Sequence, residues 1–240
     1  MKTRAVIFDL FGTLVQQFPL ERFEASLREM SAAIGLDYQT FFDAWTGQTN
    51  IRRHTGSFPS FREEIGWICQ RNGLAPSEEG LTKAIQVRYD FTRMVLVPRP
   101  DAIGTLESLR CMGLRTGLIS DCSREVPELW PQTPFHRLFD AVIFSCSVGM
   151  KKPDPAIFHL ACKRLGVVPG ECFYIGDGFS NELSGARRCG MRPFLLLPPD
   201  EKPPESPGWE GATWDGERLP SLSSVLDRLG EEPSKRIDSG

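Results

Sequence analysis

No uninterrupted apolar run in the 240 residues approaches the roughly 18 needed to span a bilayer. The N-terminal stretch MKTRAVIFDLFGTLV starts basic and turns apolar, but Asp9 interrupts it and no small-residue cleavage site follows. It does not read as a signal peptide. Basic charge is not in excess: 28 Lys and Arg stand against 31 Asp and Glu, a net charge of −3. That leaves no cationic footprint for nucleic acid and no polybasic membrane anchor. The seven cysteines (Cys69, Cys111, Cys122, Cys146, Cys162, Cys172 and Cys189) are odd in number and contain no CxxC pair. Neither a disulfide framework nor a zinc site is indicated, and most are expected to sit reduced in the core. Cys122 follows a candidate active-site strand and is the one thiol to weigh as oxidation-sensitive; a small core filler is the plainer reading. No internal repeat is present.

What the chain does have is a series of short apolar runs: AVIFD (5–9), LRTGLIS (114–120), AVIFS (141–145), ECFYIG (171–176) and PFLLL (193–197). They are β-branched or aromatic and apolar throughout, as suits strands buried on both faces of a parallel sheet. From residue 98 onward helical patterns alternate with them. Pro100 and Asp101 open one that runs to Gly113, Asp154 opens one ending at Gly166, and Asn181 opens one ending at Gly190. This alternation predicts a doubly wound α/β fold. Residues 16–97 break the rhythm, with helical patterns at Leu20–Ile34, Tyr38–Trp45, Ser60–Arg71 and Ser77–Arg93 and no strand between them. Ser60 with Glu63 resembles a capping box; Ser77 is a simple N-cap candidate. The division expected is an α/β core of 1–15 and 98–240 and an all-helical cap of 16–97. The stretch 198–220, rich in Pro, Gly and acid, reads as a loop. Residues 222–230 read as a short helix, and the last ten as frayed.

In an open α/β sheet, ligands sit at the carboxyl ends of the strands near the switch point. Four strands here end in polar groups suited to one anionic substrate. Asp9 ends the first, and Ser120 and Asp121 the second. Lys151 and Lys152 follow the third, and Asp177, with Asn181 and Glu182 beyond it, ends the fourth. Gly12 permits a tight turn that would leave Asp9 exposed as a nucleophile. Ser120 can donate to a phosphate oxygen. Lys152, just before Pro153-Asp154-Pro155, would neutralise Asp9 and the charge developing on a transferred group. Asp177 and Glu182 suggest a hard-cation site such as Mg²⁺.

This constellation resembles the haloacid dehalogenase-like (HAD) hydrolase superfamily. FDLFGTL matches its first motif, LISD its second, KKPDPAIF its third and YIGDGFSNELSGARRCGM its fourth. The resemblance covers nearly the whole chain and implies a Rossmann-like core with a helical cap inserted between the first and second motifs. It implies Asp9, Ser120 and Lys152 as catalytic residues. Asp9, Asp177, Glu182 and the Phe11 carbonyl are implied as Mg²⁺ ligands. Phe11, Gly12, Thr13, Asp121 and Asn181 are implied around the substrate. Glu182 stands where the family usually has Asp; its longer arm can ligate, act through water or pair with Lys152. Asn181 reads as a helix cap, or as a residue that positions Lys152 or the substrate. In the cap, Arg52, Arg53 and His54 lie in a polar break between helices and are candidates for a second anionic group. Phe18, Phe41, Phe42 and Trp45 could line an apolar pocket, though at this spacing most belong to the cap core.

Phe11 is the departure. Typical phosphatases of the family carry an acid there, and general acid–base help contributes roughly 10² to 10⁴ in rate. The dehalogenase branch often carries an aromatic residue, because a halide leaves without a proton. Those enzymes have Ser and Asn in place of the Gly–Asp pair of the fourth motif, however, and Asn after the second-motif Ser, where this chain has Asp121. The first expectation is therefore a cytoplasmic, Mg²⁺-dependent phosphatase of a small anionic metabolite, monomeric or homodimeric, that works through an aspartyl-phosphate. The second is a metal-independent 2-haloacid dehalogenase. The third is a weakly active member that binds a phosphorylated ligand. Asp121 is a conceivable stand-in for the missing acid, but a structural role is the plainer one.

Overall fold

The computed structural model describes residues 2–204 and 209–231. The expected fraying of the last ten residues falls almost wholly outside them. Six strands form one sheet: β1 (Ala5–Phe8), β2 (Arg115–Ser120), β3 (Ala141–Phe144), β4 (Cys172–Gly176), β5 (Arg192–Leu196) and β6 (Glu217–Leu219). All neighbours are parallel, in the order β3-β2-β1-β4-β5-β6. The first five are the five apolar runs. Their lack of polar alternation follows from burial on both faces: Val6 and Phe8 pack into one layer, Ala5 and Ile7 into the other.

The first layer holds α6 (Ala102–Cys111), α7 (Glu125–Leu129) and α11 (Ser224–Gly230), which contribute Leu106, Val126 and Val225. The second holds α9 (Pro155–Leu165) and α10 (Glu182–Arg188), which contribute Phe158 and Leu183. A single turn, α8 (Ser145–Val148), follows β3. Asp154 caps α9 by accepting from the Ala156 amide at 2.9 Å. Asp101 sits at the start of α6 without capping it; its carboxylate accepts from the Ser223 amide instead, at 3.1 Å, and ties α11 to α6.

Between β1 and α6 the chain forms α1 (Leu20–Ile34), α2 (Tyr38–Thr46), α3 (Gln48–His54), α4 (Phe61–Arg71) and α5 (Glu78–Val95). These helices enclose their own core, which includes Leu27, Met30, Phe41, Trp45, Ile65 and Ala84. The Ser60–Glu63 capping box is formed in both directions, at 3.2 and 3.1 Å. Ser77 caps α5 one way, accepting from the Gly80 amide at 3.0 Å.

Two expectations are corrected. The stretch 198–220 is not all loop: a 3₁₀ turn at Glu210–Ala212 leads into β6, which pairs with Phe194–Leu196 at the sheet edge. Three residues, Glu-Arg-Leu, are too short to show a period, and the edge of β5 supplies the bonds that make them a strand. The polar break expected around residues 50–58 is largely α3. Of its charges, Arg53 is spent inside the protein while Arg52 stays exposed. Arg53 is buried and pairs through Nε with Glu64 Oε1 at 2.5 Å, donates to the Trp45 carbonyl at 3.1 Å, and lies 3.6 Å from the centre of the Trp45 ring.

Removing one partner of a buried ion pair leaves an uncompensated charge, which costs about 3–5 kcal/mol, whereas replacing both with apolar groups is often neutral. Glu64→Gln is therefore expected to lower the unfolding free energy by about 3 kcal/mol or more. The double variant Arg53→Met/Glu64→Leu should lose much less, as measured by urea unfolding.

Candidate active site

β1 is flanked by β2 on one side and β4 on the other, so chain connections leave it in opposite directions and open a crevice at the carboxyl ends of these strands. Asp9 is the first residue beyond β1, fixed by its amide bond to the Ile175 carbonyl at 2.9 Å. The turn after it closes when the Leu14 and Val15 amides bond back to the Leu10 carbonyl. Gly12 has φ +77°, and a Cβ there would lie 2.0 Å from Asp177 Oδ2, so only glycine lets this turn pass Asp177.

Lys152 reaches into the crevice from beyond β3 and is 3% exposed. Its Nζ lies 2.5 Å from Asp9 Oδ1 and 2.5 Å from Glu182 Oε2. Lys151 is only half-buried and lies outside this group. Glu182 is wholly buried at the start of α10. Its Oε2 also accepts from the Tyr174 hydroxyl at 2.7 Å, and its Oε1 from the Gly178 amide at 3.1 Å. Gly176 makes room for it, since a Cβ there would fall 2.0 Å from Glu182 Oε1. Asp177 accepts from the Phe179 amide at 3.0 Å and from Gln17 Nε2 at 3.1 Å, and its carbonyl accepts from Trp209 Nε1 at 2.7 Å.

One oxygen from each of Asp9, Asp177 and Glu182 lies within 4.8 Å of the others. The single ammonium cannot balance three acids. Burial pushes the Asp9 carboxyl well above its ordinary value; Lys152 opposes this only in part, and Glu182 and Asp177 add to it. Burial and then Glu182 push Asp177 up to about 7. Burial also works against the Lys152 ammonium, but Asp9 and Glu182 outweigh it and hold its pKa well above the usual lysine value. A donor set of oxygens alone, carrying excess negative charge, fits a hard divalent cation.

Among the described residues, the buried polar atoms without a hydrogen-bond partner include Thr13 Oγ1, Ser120 Oγ and Asp121 Oδ2 at this end of the sheet. Leaving such groups unmet costs about 1–3 kcal/mol each. Asp121 uses its other oxygen to accept from the Lys152 amide at 3.0 Å, and burial pushes its carboxyl up. Above these groups lies a cavity of about 770 Å³ between the sheet and the helices that follow β1. Asp9, Asp121 and Lys152 line its base; Phe11, Phe18 and Phe91 line its wall. Cys122 also lines it, but is buried in the sheet's core with its thiol pushed up by burial, as a core filler would be.

Some sequence candidates fall elsewhere. Arg52 is exposed, stacks over Phe58 and Trp67 at 4.8 Å, and does not line the cavity. Arg53 does line it, but its charge is committed to Glu64. Asn181 is exposed and makes no side-chain cap; it and Ser180 take left-handed backbone, and Ser180 rather than Asn181 lines the cavity. The α10 amides of Leu183 and Ser184 are capped from afar by Glu210, at 2.6 and 3.1 Å. Phe41 belongs to the helical core and Phe42 packs at its margin, whereas Phe18 and Trp45 reach the cavity. Arg99 escaped the sequence reading altogether. It is buried, donates to the Gly12 carbonyl at 2.9 Å and pairs with Glu201, so it holds the turn after Asp9. Gln17, Tyr174, Trp209 and Glu210 escaped it too, because each acts across 8 to 160 residues of sequence with no local pattern.

His54 lines the same cavity, half-buried, and burial and then Arg53 depress its pKa to about 3. The unfolded chain takes up this proton below about pH 6.5 and the folded one does not, so stability falls with pH between about 6.5 and 3, by at most about 1.4 kcal/mol per unit. His54→Asn is expected to lose up to about 2 kcal/mol less stability than the parent between pH 6.5 and 5, read from urea unfolding at each pH.

The haloacid dehalogenase-like hydrolase model matches residues 3–190. A glyceraldehyde 3-phosphate phosphatase of Methanopyrus kandleri is 30% identical over 192 residues, covering 78% of this chain and 81% of the relative. Among solved structures, a HAD family enzyme of Bacteroides thetaiotaomicron, in complex with magnesium and inorganic phosphate, superposes with a TM-score of 0.64 at 17% identity (83% and 96% coverage). An L-2-haloacid dehalogenase of Xanthobacter autotrophicus with chloropropionic acid covalently bound superposes with a TM-score of 0.61 at 20% identity (96% and 100% coverage). The fold is thus common to both chemistries, and the motif residues gathered around Asp9 agree with the family match: the chain belongs to the haloacid dehalogenase-like hydrolases.

Proposed function

We propose that this hydrolase is a Mg²⁺-dependent phosphomonoesterase that works through an aspartyl-phosphate on Asp9. The observation that carries the reading is the cluster of Asp9, Asp177 and Glu182 against the single ammonium of Lys152. A metal-independent dehalogenase has no use for that surplus of acid. Asp9 and Asp177, with the Phe11 carbonyl, would hold the Mg²⁺, which when bound offsets charge on the phosphoryl oxygens. Glu182 contributes its charge from behind, through Lys152. The bound magnesium and phosphate of the Bacteroides fold neighbour and the phosphatase activity of the Methanopyrus relative support the same reading, with a small phosphorylated metabolite as substrate.

In this mechanism the Asp9 carboxylate attacks phosphorus in line with the leaving oxygen. Lys152 orients Asp9 and balances the charge that spreads over the phosphoryl group. The hydroxyls of Thr13 and Ser120, which have no hydrogen-bond partner among the described residues, donate to phosphoryl oxygens. Residues 16–97 act as a cap over the core of 1–15 and 98–240 and shield the intermediate from bulk water.

Asp9→Asn is expected to lower phosphate release by at least about 10⁴-fold without loss of fold, measured with p-nitrophenyl phosphate and far-ultraviolet circular dichroism. Chelator should abolish release and added Mg²⁺ restore it. Phe11 is the one residue that favours the dehalogenase instead. Chelator-insensitive chloride release from 2-chloropropionate, without phosphatase activity, would overturn the proposal.

A further inference from the structure

The wall of the cavity above Asp9 is aromatic and continuous. Phe11 meets Phe18 edge to face, with ring centres 6.3 Å apart; Phe18 meets Phe91 at 5.8 Å and Phe23 at 5.4 Å; Phe23 and Phe91 close the set at 5.9 Å. All four rings line the cavity of about 770 Å³ whose base holds Asp9 and Lys152. Phe18 is 37% exposed, so its ring is open to an incoming molecule rather than sealed in a core.

Two independent features of this wall bear on the leaving group. The first is chemical: Phe11, two residues after the nucleophile, carries no proton to give. An alkoxide expelled beside it would be stranded in an apolar surrounding, where an unpaired charge is costly. A phenolate spreads its charge over its ring and leaves with far less need of a proton. The second is geometric: four rings at edge and tilted contact distances present faces and edges to which a further ring can add, a contact that contributes beyond simple burial. A triose or glycerol chain makes no such contact.

On the strength of the phosphatase reading above, we infer that the leaving group this site is built for is an aromatic alcohol, so that the substrate class is the aryl phosphates. In the first step a bond forms between an Asp9 carboxylate oxygen and phosphorus as the phosphorus–oxygen bond to the ring breaks. The electron pair departs with the phenolate oxygen, which takes its proton from solvent after release. A water molecule then replaces Asp9 on phosphorus, the Asp9 carboxylate is regenerated, and the proton of the water leaves with the phosphate.

The test is a panel of phosphate-release measurements with Mg²⁺ on the full chain: phenyl and 1-naphthyl phosphate against glycerol 3-phosphate and glyceraldehyde 3-phosphate, with p-nitrophenyl phosphate as reference. The expected kcat/KM for the aryl pair exceeds that for the alkyl pair by about 100-fold or more, the scale of the missing acid. Phe18→Ala should narrow the aryl advantage by roughly two- to tenfold, the scale of one aromatic contact. Phe11→Asp should raise glycerol 3-phosphate turnover by about 100-fold relative to phenyl phosphate, with far-ultraviolet circular dichroism showing that the variant has folded. Equal or faster turnover of the alkyl phosphates by the unaltered protein would overturn the inference and leave the phosphatase reading standing. In that case the unpartnered carboxyl oxygen of Asp121 would be the first group to examine as the proton source. Absence of phosphate release from every compound, p-nitrophenyl phosphate included, would overturn both.

Discussion

The rest of the site depends on one ammonium held between two carboxylates. Lys152 touches Asp9 and Glu182 at the same 2.5 Å, and among the described residues neither acid has another cation within its contacts. Charges taken out of water are tolerated only where partners and hydrogen bonds replace the lost solvation. Much of the local structure is explained by that demand. Tyr174 and the Gly178 amide take up the remaining capacity of Glu182. Gln17 and the Phe179 amide do the same for Asp177. Gly12 and Gly176 are glycines because the carboxylates occupy the space a side chain would need.

The frame that positions these groups was legible in the sequence because both of its signals are local. Five apolar runs became the first five strands, and the caps at Ser60, Ser77 and Asp154 formed as their spacing implied. The site was legible for a related reason. Asp9, Ser120, Lys152 and Asp177 each lie at or just past a strand end, so a parallel sheet brings them to one edge whatever the loops do. Of the two adjacent lysines, Lys152 is the one whose ammonium contacts Asp9.

What escaped the sequence is what depends on partners far along the chain. Arg52 and Arg53 are adjacent and chemically alike, yet one lies exposed over Phe58 while the other is buried against Glu64; nothing local distinguishes them. β6 has only three residues and owes its pairing to β5. Asn181 has the composition of a helix cap, but Glu210 takes that work from 27 residues away and leaves Asn181 in left-handed backbone. The Trp209 and Glu210 contacts also mean that a segment read as featureless loop supports both Asp177 and the helix carrying Glu182.

The two crossings between the sheet and the helices that follow β1 lie side by side. Val15 bridges Pro98 in antiparallel fashion, the Arg99 amide bonds to the Leu14 carbonyl at 2.9 Å, and Arg99 reaches on to the Gly12 carbonyl. The chain thus departs and returns through a single seam, its two threads about one strand spacing apart. Apart from contacts such as Gln17 with Asp177 and Arg88 with Glu125, a segment joined at such a seam constrains the core through the distance between its own two ends. Its length, helix count and lining can drift while the strand order and the acids below stay fixed. In this architecture Arg99 is the clasp at that seam: its bond to the Gly12 carbonyl keeps the turn after Asp9 in shape whatever the inserted helices contribute.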